Sequence, residues 1–259
     1  MSAPVELQTI VERIDALLPT STPDYPSALN GLQFANSGTV TRIAAAVDFA
    51  AHTVKAAVHE GANLLLVHHG MFWSGLQRMD GMRYERVRDL VKNDVAVYAS
   101  HLPLDMHPTL GNNALLSHEL GLDPIGTFGK FGAIEIGVRG ETDLYTSELV
   151  VRATAFAARY AGVAVATPFV TGRRTRRWAV ITGAGASSDT VREAMDAGVD
   201  TLIVGEGPHH TAVEAAERGL VIIYAGHYAT ETLGVRALAT LVSAEFNLPC
   251  SFIDAPTGL

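Results

Sequence analysis

Apolar residues recur at Leu7, Ile10, Val11, Ile14, Leu17 and Leu18, a helical spacing that predicts a helix over Val5 to Leu18, ended by Pro19. Farther on the pattern changes to short apolar runs. Arg42 to Val47 predicts a strand ending at Asp48, an alanine-rich helix follows from about Ala50 to Glu60, and Leu64-Leu65-Leu66-Val67-His68-His69-Gly70 predicts a buried strand that ends on two imidazoles. After the loop Met71 to Met82, the spacing predicts a helix over Tyr84 to Asn93, a strand over Val95 to Ala99 and a helix over Asn112 to Leu120. The second half continues with a strand over Phe131 to Val138, a helix over Ser147 to Tyr160 and a strand over Val163 to Val170. A strand over Trp178 to Thr182 then leads through Gly183-Ala184-Gly185-Ala186-Ser187-Ser188 into a helix starting near Asp189 or Thr190. Alternating strands and helices predict an α/β fold, in which sites form at the carboxyl ends of strands.

The second half repeats the first. Val54-Lys55-Ala56-Ala57-Val58-His59-Glu60-Gly61-Ala62-Asn63-Leu64-Leu65-Leu66-Val67 recurs as Val191-Arg192-Glu193-Ala194-Met195-Asp196-Ala197-Gly198-Val199-Asp200-Thr201-Leu202-Ile203-Val204, an offset of 191 − 54 = 137. In that register His68-His69-Gly70 falls on Gly205-Glu206-Gly207. Val95 to His101 likewise matches Val221 to His227, and each histidine is followed four residues later by a carboxylate, Asp105 or Glu231. On a helix the i and i+4 side chains share a face, so His227 and Glu231 can reach one ion; Pro103 predicts a loop for the other pair. Pairing the halves would gather His68, His69, Asp105, His227 and Glu231, three imidazoles and two carboxylates, the donor set of a two-metal centre for zinc, iron, manganese or nickel.

Other polar residues have plainer readings beside the chemical one. His101 reads as a hydrogen-bonded loop residue, a metal ligand or a substrate-facing group, and His209 and His210 as exposed residues capping a helix. Phe72 and Trp73 read as loop-anchoring core residues, although they stand where a ring-shaped substrate would come in. Arg173, Arg174, Arg176 and Arg177 read as a solvated hairpin turn rather than an anion site. Asn30-Gly31 marks a turn, and the Gly183-Ala184-Gly185 stretch a tight strand-to-helix connection or a phosphate cradle.

Composition narrows the partners. Of 259 residues, 48% are hydrophobic and the formal net charge is −8, which speaks against nucleic acid or an anionic membrane as a general partner. Cys250 is the one cysteine, read as a small core residue; no disulfide can form within the chain, as in a reducing compartment. Glu6, Glu12 and Asp15 near the start do not read as a secretory leader, and no apolar run approaches the ~18 residues of a membrane span, so the expected location is the cytoplasm.

Together, Asn30-Gly31-Leu32-Gln33, Val67-His68-His69-Gly70, the segment Ser100-His101 to Asp105 with Asn113-Ala114-Leu115, Gly205-Glu206 and Ala225-Gly226-His227-Tyr228-Ala229-Thr230-Glu231 resemble the Nif-three-like dinuclear-metal-centre proteins. That family is also labelled GTP cyclohydrolase type-two homologue. The resemblance covers nearly the whole chain and implies two intertwined α/β repeats, residues 1–125 and 126–259, with the site between them. It implies two divalent ions per chain on His68, His69, Asp105, His227 and Glu231, with Asp105 bridging, and a toroidal homohexamer. The chain departs from the family at Leu102-Pro103-Leu104 and at Met106-His107-Pro108-Thr109-Leu110-Gly111, where His107 is an additional polar group. With no Gly-x-Ser-x-Gly elbow and Cys250 far from the motifs, the expected chemistry is metal-dependent hydrolysis, and the family label implies a nucleotide-like or cyclic C–N or phosphoester substrate. Glu206, His101 or His210 would shuttle the proton; the alternative is a non-catalytic metal-binding, metal-carrier or scaffold hexamer.

Overall fold

The structure, a computed structural model, describes residues 3–259. Its elements in chain order begin with β1 (Val5–Glu6), α1 (Leu7–Leu17), β2 (Gly31–Phe34), β3 (Thr39–Val40), β4 (Ile43–Asp48), α2 (Ala51–His59) and β5 (Leu64–His69). They continue with α3 (Gly81–Asn93), β6 (Ala96–Ala99), α4 (Leu102–Asp105), α5 (Asn112–Glu119), β7 (Gly126–Phe131), β8 (Ile134–Tyr145), α6 (Thr146–Ala158) and β9 (Val165–Ala166). The last are β10 (Arg174–Ile181), α7 (Ser188–Asp196), β11 (Thr201–Val204), α8 (His209–Glu217), β12 (Val221–Tyr224), α9 (His227–Phe246) and β13 (Cys250–Phe252). Among the described residues, no helix is long and apolar enough to cross a membrane.

Contacts divide the chain into two units. One runs to Leu104 and resumes over Gly234–Ala255; the other takes Asp105–Leu233 and Pro256–Leu259. The expected boundary at 125/126 therefore falls inside the second unit, and most of α9 with β13 goes to the first. The reason is pairing: β13 adds to the edge of β4, in the order β13-β4-β5-β6-β2.

In the first unit β13, β4, β5 and β6 run parallel and β2 closes the sheet antiparallel to β6. All six residues of β5 are buried, as a parallel strand covered on both faces requires, and this is why it reads as an unbroken aliphatic run. Ala44, Ala46, Val54, Leu65, Val67, Leu90 and Val97 belong to its core. In the second unit the order is β7-β8-β10-β11-β12-β9, parallel across β10, β11 and β12 and antiparallel elsewhere. Val191, Ala194, Leu202, Val204 and Ile222 pack there as their repeat counterparts pack in the first unit. The repeat is thus structural: β4–α2–β5 corresponds to β10–α7–β11, and β6 with antiparallel β2 corresponds to β12 with antiparallel β9. Helix α7 starts one residue earlier than expected because Ser187 Oγ accepts from Thr190 N, a side-chain N-cap.

Several local expectations are corrected. Phe131 to Val138 is not one strand: β7 ends at Phe131 and β8 begins at Ile134, with Gly132-Ala133 as the turn. Val163 to Val170 shrinks to the two-residue β9. Pro103 does not force a loop; it sits in the first turn of the one-turn α4, where its missing N–H is no loss. Cys250 is exposed, at the start of edge strand β13.

The arginine cluster is not a solvated turn either. Arg174, Arg176 and Arg177 lie on β10, and Arg174 and Arg176 pair with Asp143. Arg173, just before the strand, donates to Thr146 Oγ1 at 3.0 Å, Thr201 Oγ1 at 3.1 Å and the carbonyl of Asp200. Thr175 hydroxyl links the same two threonines at 3.0 and 2.9 Å, so the guanidinium closes a buried polar network. Arg173→Ala is expected to lower the unfolding free energy by about 2–3 kcal/mol, because it removes the charged donor to two wholly buried hydroxyls and to the Asp200 carbonyl. Arg176→Ala, on an exposed pair, should stay within about 0.5 kcal/mol. Urea denaturation of both variants checks the contrast, and equal midpoints would refute it.

Candidate metal site

The His-His strand end forms because β5 outlasts one of its neighbours. Its pairing with β6 stops at Val67–Ala99, whereas that with β4 continues to Asp48–His69. Held from one side, the adjacent residues bring their rings to 4.8 Å centroid separation rather than to opposite faces. His101 follows β6, and its ring lies 4.9 Å from His68 and 5.6 Å from His69. One ligand nitrogen from each of these three buried histidines lies within 4.8 Å of the others, a set able to hold a metal ion.

Each ring is oriented from behind. His68 Nδ1 is 2.9 Å from the Ser100 carbonyl, His69 Nδ1 is 2.9 Å from Asp48 Oδ1, and His101 Nδ1 is 2.8 Å from Asp24 Oδ1. All three partners are acceptors, so each Nδ1–H donates and the neutral tautomer carries its lone pair on Nε2. Asp24 is the hub: its other oxygen accepts from Asn30 Nδ2 and Leu102 N at 2.8 and 2.9 Å, and Asn30 Oδ1 accepts from His101 N at 2.7 Å. Burial opposes ionisation of Asp24, but hydrogen bonds from His101, Asn30 and Leu102 hold its carboxyl below the usual carboxylate range. Asn30-Gly31 is therefore more than a turn marker.

Gly70, expected to let the strand bend, serves a close approach instead. A Cβ there would collide with the amide of Gln33, which accepts from Met71 N at 2.7 Å and donates to the carbonyls of Ala28 and Leu29 at 2.9 and 3.0 Å. Trp73, expected in the core, is 37% exposed, with its ring 4.6 Å from His69 and 4.5 Å from His101.

In the second unit His227 opens α9 and shares its face with Glu231, one turn on, at 3.1 Å from Nε2 to Oε2. Glu206, just past β11, binds the other nitrogen, Nδ1, at 2.7 Å. Burial disfavours the charged ring, but the Glu231 and Glu206 carboxylates outweigh it and raise His227 to about 9. Two carboxylates around a largely buried imidazole make a place that demands positive charge. Asp105, 6% exposed, accepts from Asn112 Nδ2 at 2.8 Å, while Asn113 bridges the Asp105 and Ile136 carbonyls and accepts from Thr182 N.

Two other polar candidates stand apart. His210 is exposed in the first turn of α8 and belongs to neither cluster. His107 Nδ1 accepts from Thr109 N and Leu110 N at 3.3 and 3.1 Å, and burial lowers its pKa, so it caps its own loop as a neutral ring. Asp24, Asp48 and Ser100 were missed in the sequence; only Asp48, at a strand end, carried a signal there.

The profile of the Duf34/NIF3 (NGG1p interacting factor 3) family matches residues 5–257. A protein of Deinococcus radiodurans named GTP cyclohydrolase 1 type 2 homolog is 41% identical over 239 residues, covering 91% of this chain and 88% of that one. One of the same name from Halobacterium salinarum is 44% identical over 239 residues, covering 91% and 93%. Among solved structures, protein ybgI, of unknown function, superposes with a TM-score of 0.87 at 32% identity, over 98% of this chain and all of that one. TTHA1606 from Thermus thermophilus does so with a TM-score of 0.85 at 31% identity, over the same shares. With a matching profile over nearly its whole length, the chain belongs to the Duf34/NIF3 family.

Proposed function

We propose that the protein is a dinuclear metal-dependent hydrolase acting on a nucleotide-like or cyclic C–N or phosphoester substrate. The observation that carries the reading is the orientation of the imidazoles: His68 and His69 each spend Nδ1 on an oxygen acceptor, which leaves Nε2 as the donor to a cation. His68, His69, Asp105, His227 and Glu231 would hold the ions, and this neutral-nitrogen and carboxylate set suits zinc, iron, manganese or nickel. Bound there, divalent ions would supply an acidified water and polarise an oxygen of the substrate.

The chain's own groups divide the remaining work. Glu206 fixes the His227 ring by accepting from Nδ1, as a carboxylate behind a ligating imidazole does. His101, backed by Asp24, is the group best built to take and return a proton, because a carboxylate behind Nδ1 stabilises the imidazolium that forms. The names of the relatives support hydrolysis of a nucleotide ring, and a homohexamer is the assembly proposed from the family resemblance.

Glu231→Ala tests this directly. Metal analysis after purification in metal-replete medium should give about two ions per wild-type chain and fewer in the variant, with affinity reduced by at least the ~10–100-fold that loss of a mere supporting group causes. Turnover of GTP, phosphoesters and cyclic amides should fall with the metal. Activity equal in both proteins would sink the hydrolase reading, and metal bound without any turnover would favour the carrier or scaffold alternative.

A further inference from the structure

Tyr25 and Trp73 are 51% and 37% exposed, yet neither lies loose on the surface. Their ring centroids are 6.2 Å apart at 79°, one edge toward the other face, and Tyr25 is 5.9 Å from His101 while Trp73 touches both His101 and His69. A single exposed aromatic needs no explanation. Two held against buried imidazoles do, and one acceptor that holds them also orients an imidazole. Asp24 Oδ1, the acceptor for His101 Nδ1, also accepts from Tyr25 N at 2.7 Å. Gln33, packed against Gly70 at the end of β5, anchors Met71 N, and Trp73 N closes back on the Gly70 carbonyl at 3.3 Å. Tyr25 and His101 thus share one acceptor, and Trp73 is tied to the end of the strand that carries His68 and His69.

We propose that Tyr25 and Trp73 form a slot that binds the planar heteroaromatic ring of the substrate beside His69 and His101. The inference rests on the metal-site reading above and names its substrate class. Perpendicular walls suit a flat ring: it stacks on one face and meets the edge of the other, an arrangement favoured by the quadrupoles of aromatic rings. An aliphatic or sugar-only ligand would gain little from it. Stacking of this kind tolerates many bases because every base has a π face, so the slot selects a ring rather than one ring.

The test uses probes that share ribose 5-phosphate and differ in the ring. Guanosine, cytidine and nicotinamide 5′-monophosphates are titrated against ribose 5-phosphate alone, by calorimetry and by tryptophan fluorescence. Trp73 is one of two tryptophans and Trp178 is wholly buried, so quenching reports on the slot. The ring-bearing probes should bind at least about tenfold more tightly than ribose 5-phosphate. Trp73→Leu and Tyr25→Leu should each erase most of that margin and Trp73→Phe should keep it, while metal content stays at the wild-type level in all three. Equal affinity with and without a ring, no binding of any ring probe at millimolar concentration, or a Trp73→Leu variant altered only in oligomeric state overturns the slot. Metal absent from the wild-type protein would instead strike the metal-site reading, which keeps the two failures distinct.

Discussion

Gly205→Ala is expected to lower the melting temperature by about 6–12 °C. A Cβ at this position would lie 2.5 Å from the Gly183 carbonyl oxygen, 2.7 Å from Thr230 Oγ1 and 2.9 Å from Gly183 N. None of these can move cheaply. Glu206 N donates to that same Gly183 carbonyl at 2.8 Å, Gly183 N donates to Thr230 Oγ1 at 3.0 Å, and Gly226 N donates to the Gly205 carbonyl at 3.0 Å. Overpacking a core costs about 1–3 kcal/mol, and with the hydrogen-bonded Gly183 backbone and a buried Thr230 hydroxyl in the way the upper end applies. At roughly 2–4 °C per kcal/mol for a chain of this size, the stated range follows. The displacement would fall on Glu206, the next residue, and so on the orientation of His227. Calorimetry of the metal-free protein is the measurement, and a variant melting within about 2 °C of wild type would refute the packing argument. In the repeat, Gly205 stands where the first copy has His68. The same strand end that must carry an imidazole in one unit must carry only hydrogen in the other.

That contrast shows what the sequence could disclose. The repeat was legible because both copies bury the strand after the crossover helix, β5 and β11, and burial on both faces leaves an aliphatic run that a parallel strand cannot hide. His227 and Glu231 were legible as a pair because helical periodicity puts i and i+4 on one face, and the structure places them 3.1 Å apart. What stayed hidden was long-range. Asp24 meets His101 across 77 positions, and nothing in the turn-rich segment around it marks one aspartate from another. Trp73 gave an apolar signal, and an apolar signal does not say whether a ring faces the core or a site. The arginines of β10 mislead for a related reason: charge runs mark exposed surface, and the start of β10, which precedes its pairing with β11 and is paired to Asp143, is exposed without being a turn. The hairpin of β7 and β8 was read as one strand because Gly132-Ala133 carries a weaker turn signature than the pairs that usually mark two-residue loops.

Asp24→Asn should cost about 2–4 kcal/mol at neutral pH and should remove an acid-sensitive part of the protein's stability. The carboxylate, 5% exposed, accepts from four donors: Tyr25 N and His101 Nδ1 on one oxygen, Asn30 Nδ2 and Leu102 N on the other. An amide keeps one acceptor oxygen and turns an NH₂ toward the remaining donors. Whichever way it is placed, two donors lose their partner, at about 1–3 kcal/mol for a buried one less what relaxation recovers. The pH dependence has a definite sign. Asp24 is held below its unfolded value by His101, Asn30 and Leu102, so the folded state keeps the carboxylate ionised where the unfolded chain has begun to bind a proton. Its contribution is therefore complete above the unfolded value of about 3.9 and is lost as pH falls through the folded value. Urea midpoints from pH 7 down to pH 3 should show a gap between wild type and Asp24→Asn that is level at neutral pH and narrows at the acid end. A gap that stays constant to pH 3 would mean that Asp24 acts by shape alone. Because the same residue orients His101 and anchors Tyr25, the variant should also blunt the ring preference of the slot, which neither Arg173→Ala nor Arg176→Ala should change. Stability and recognition would then fall together at a single buried carboxylate.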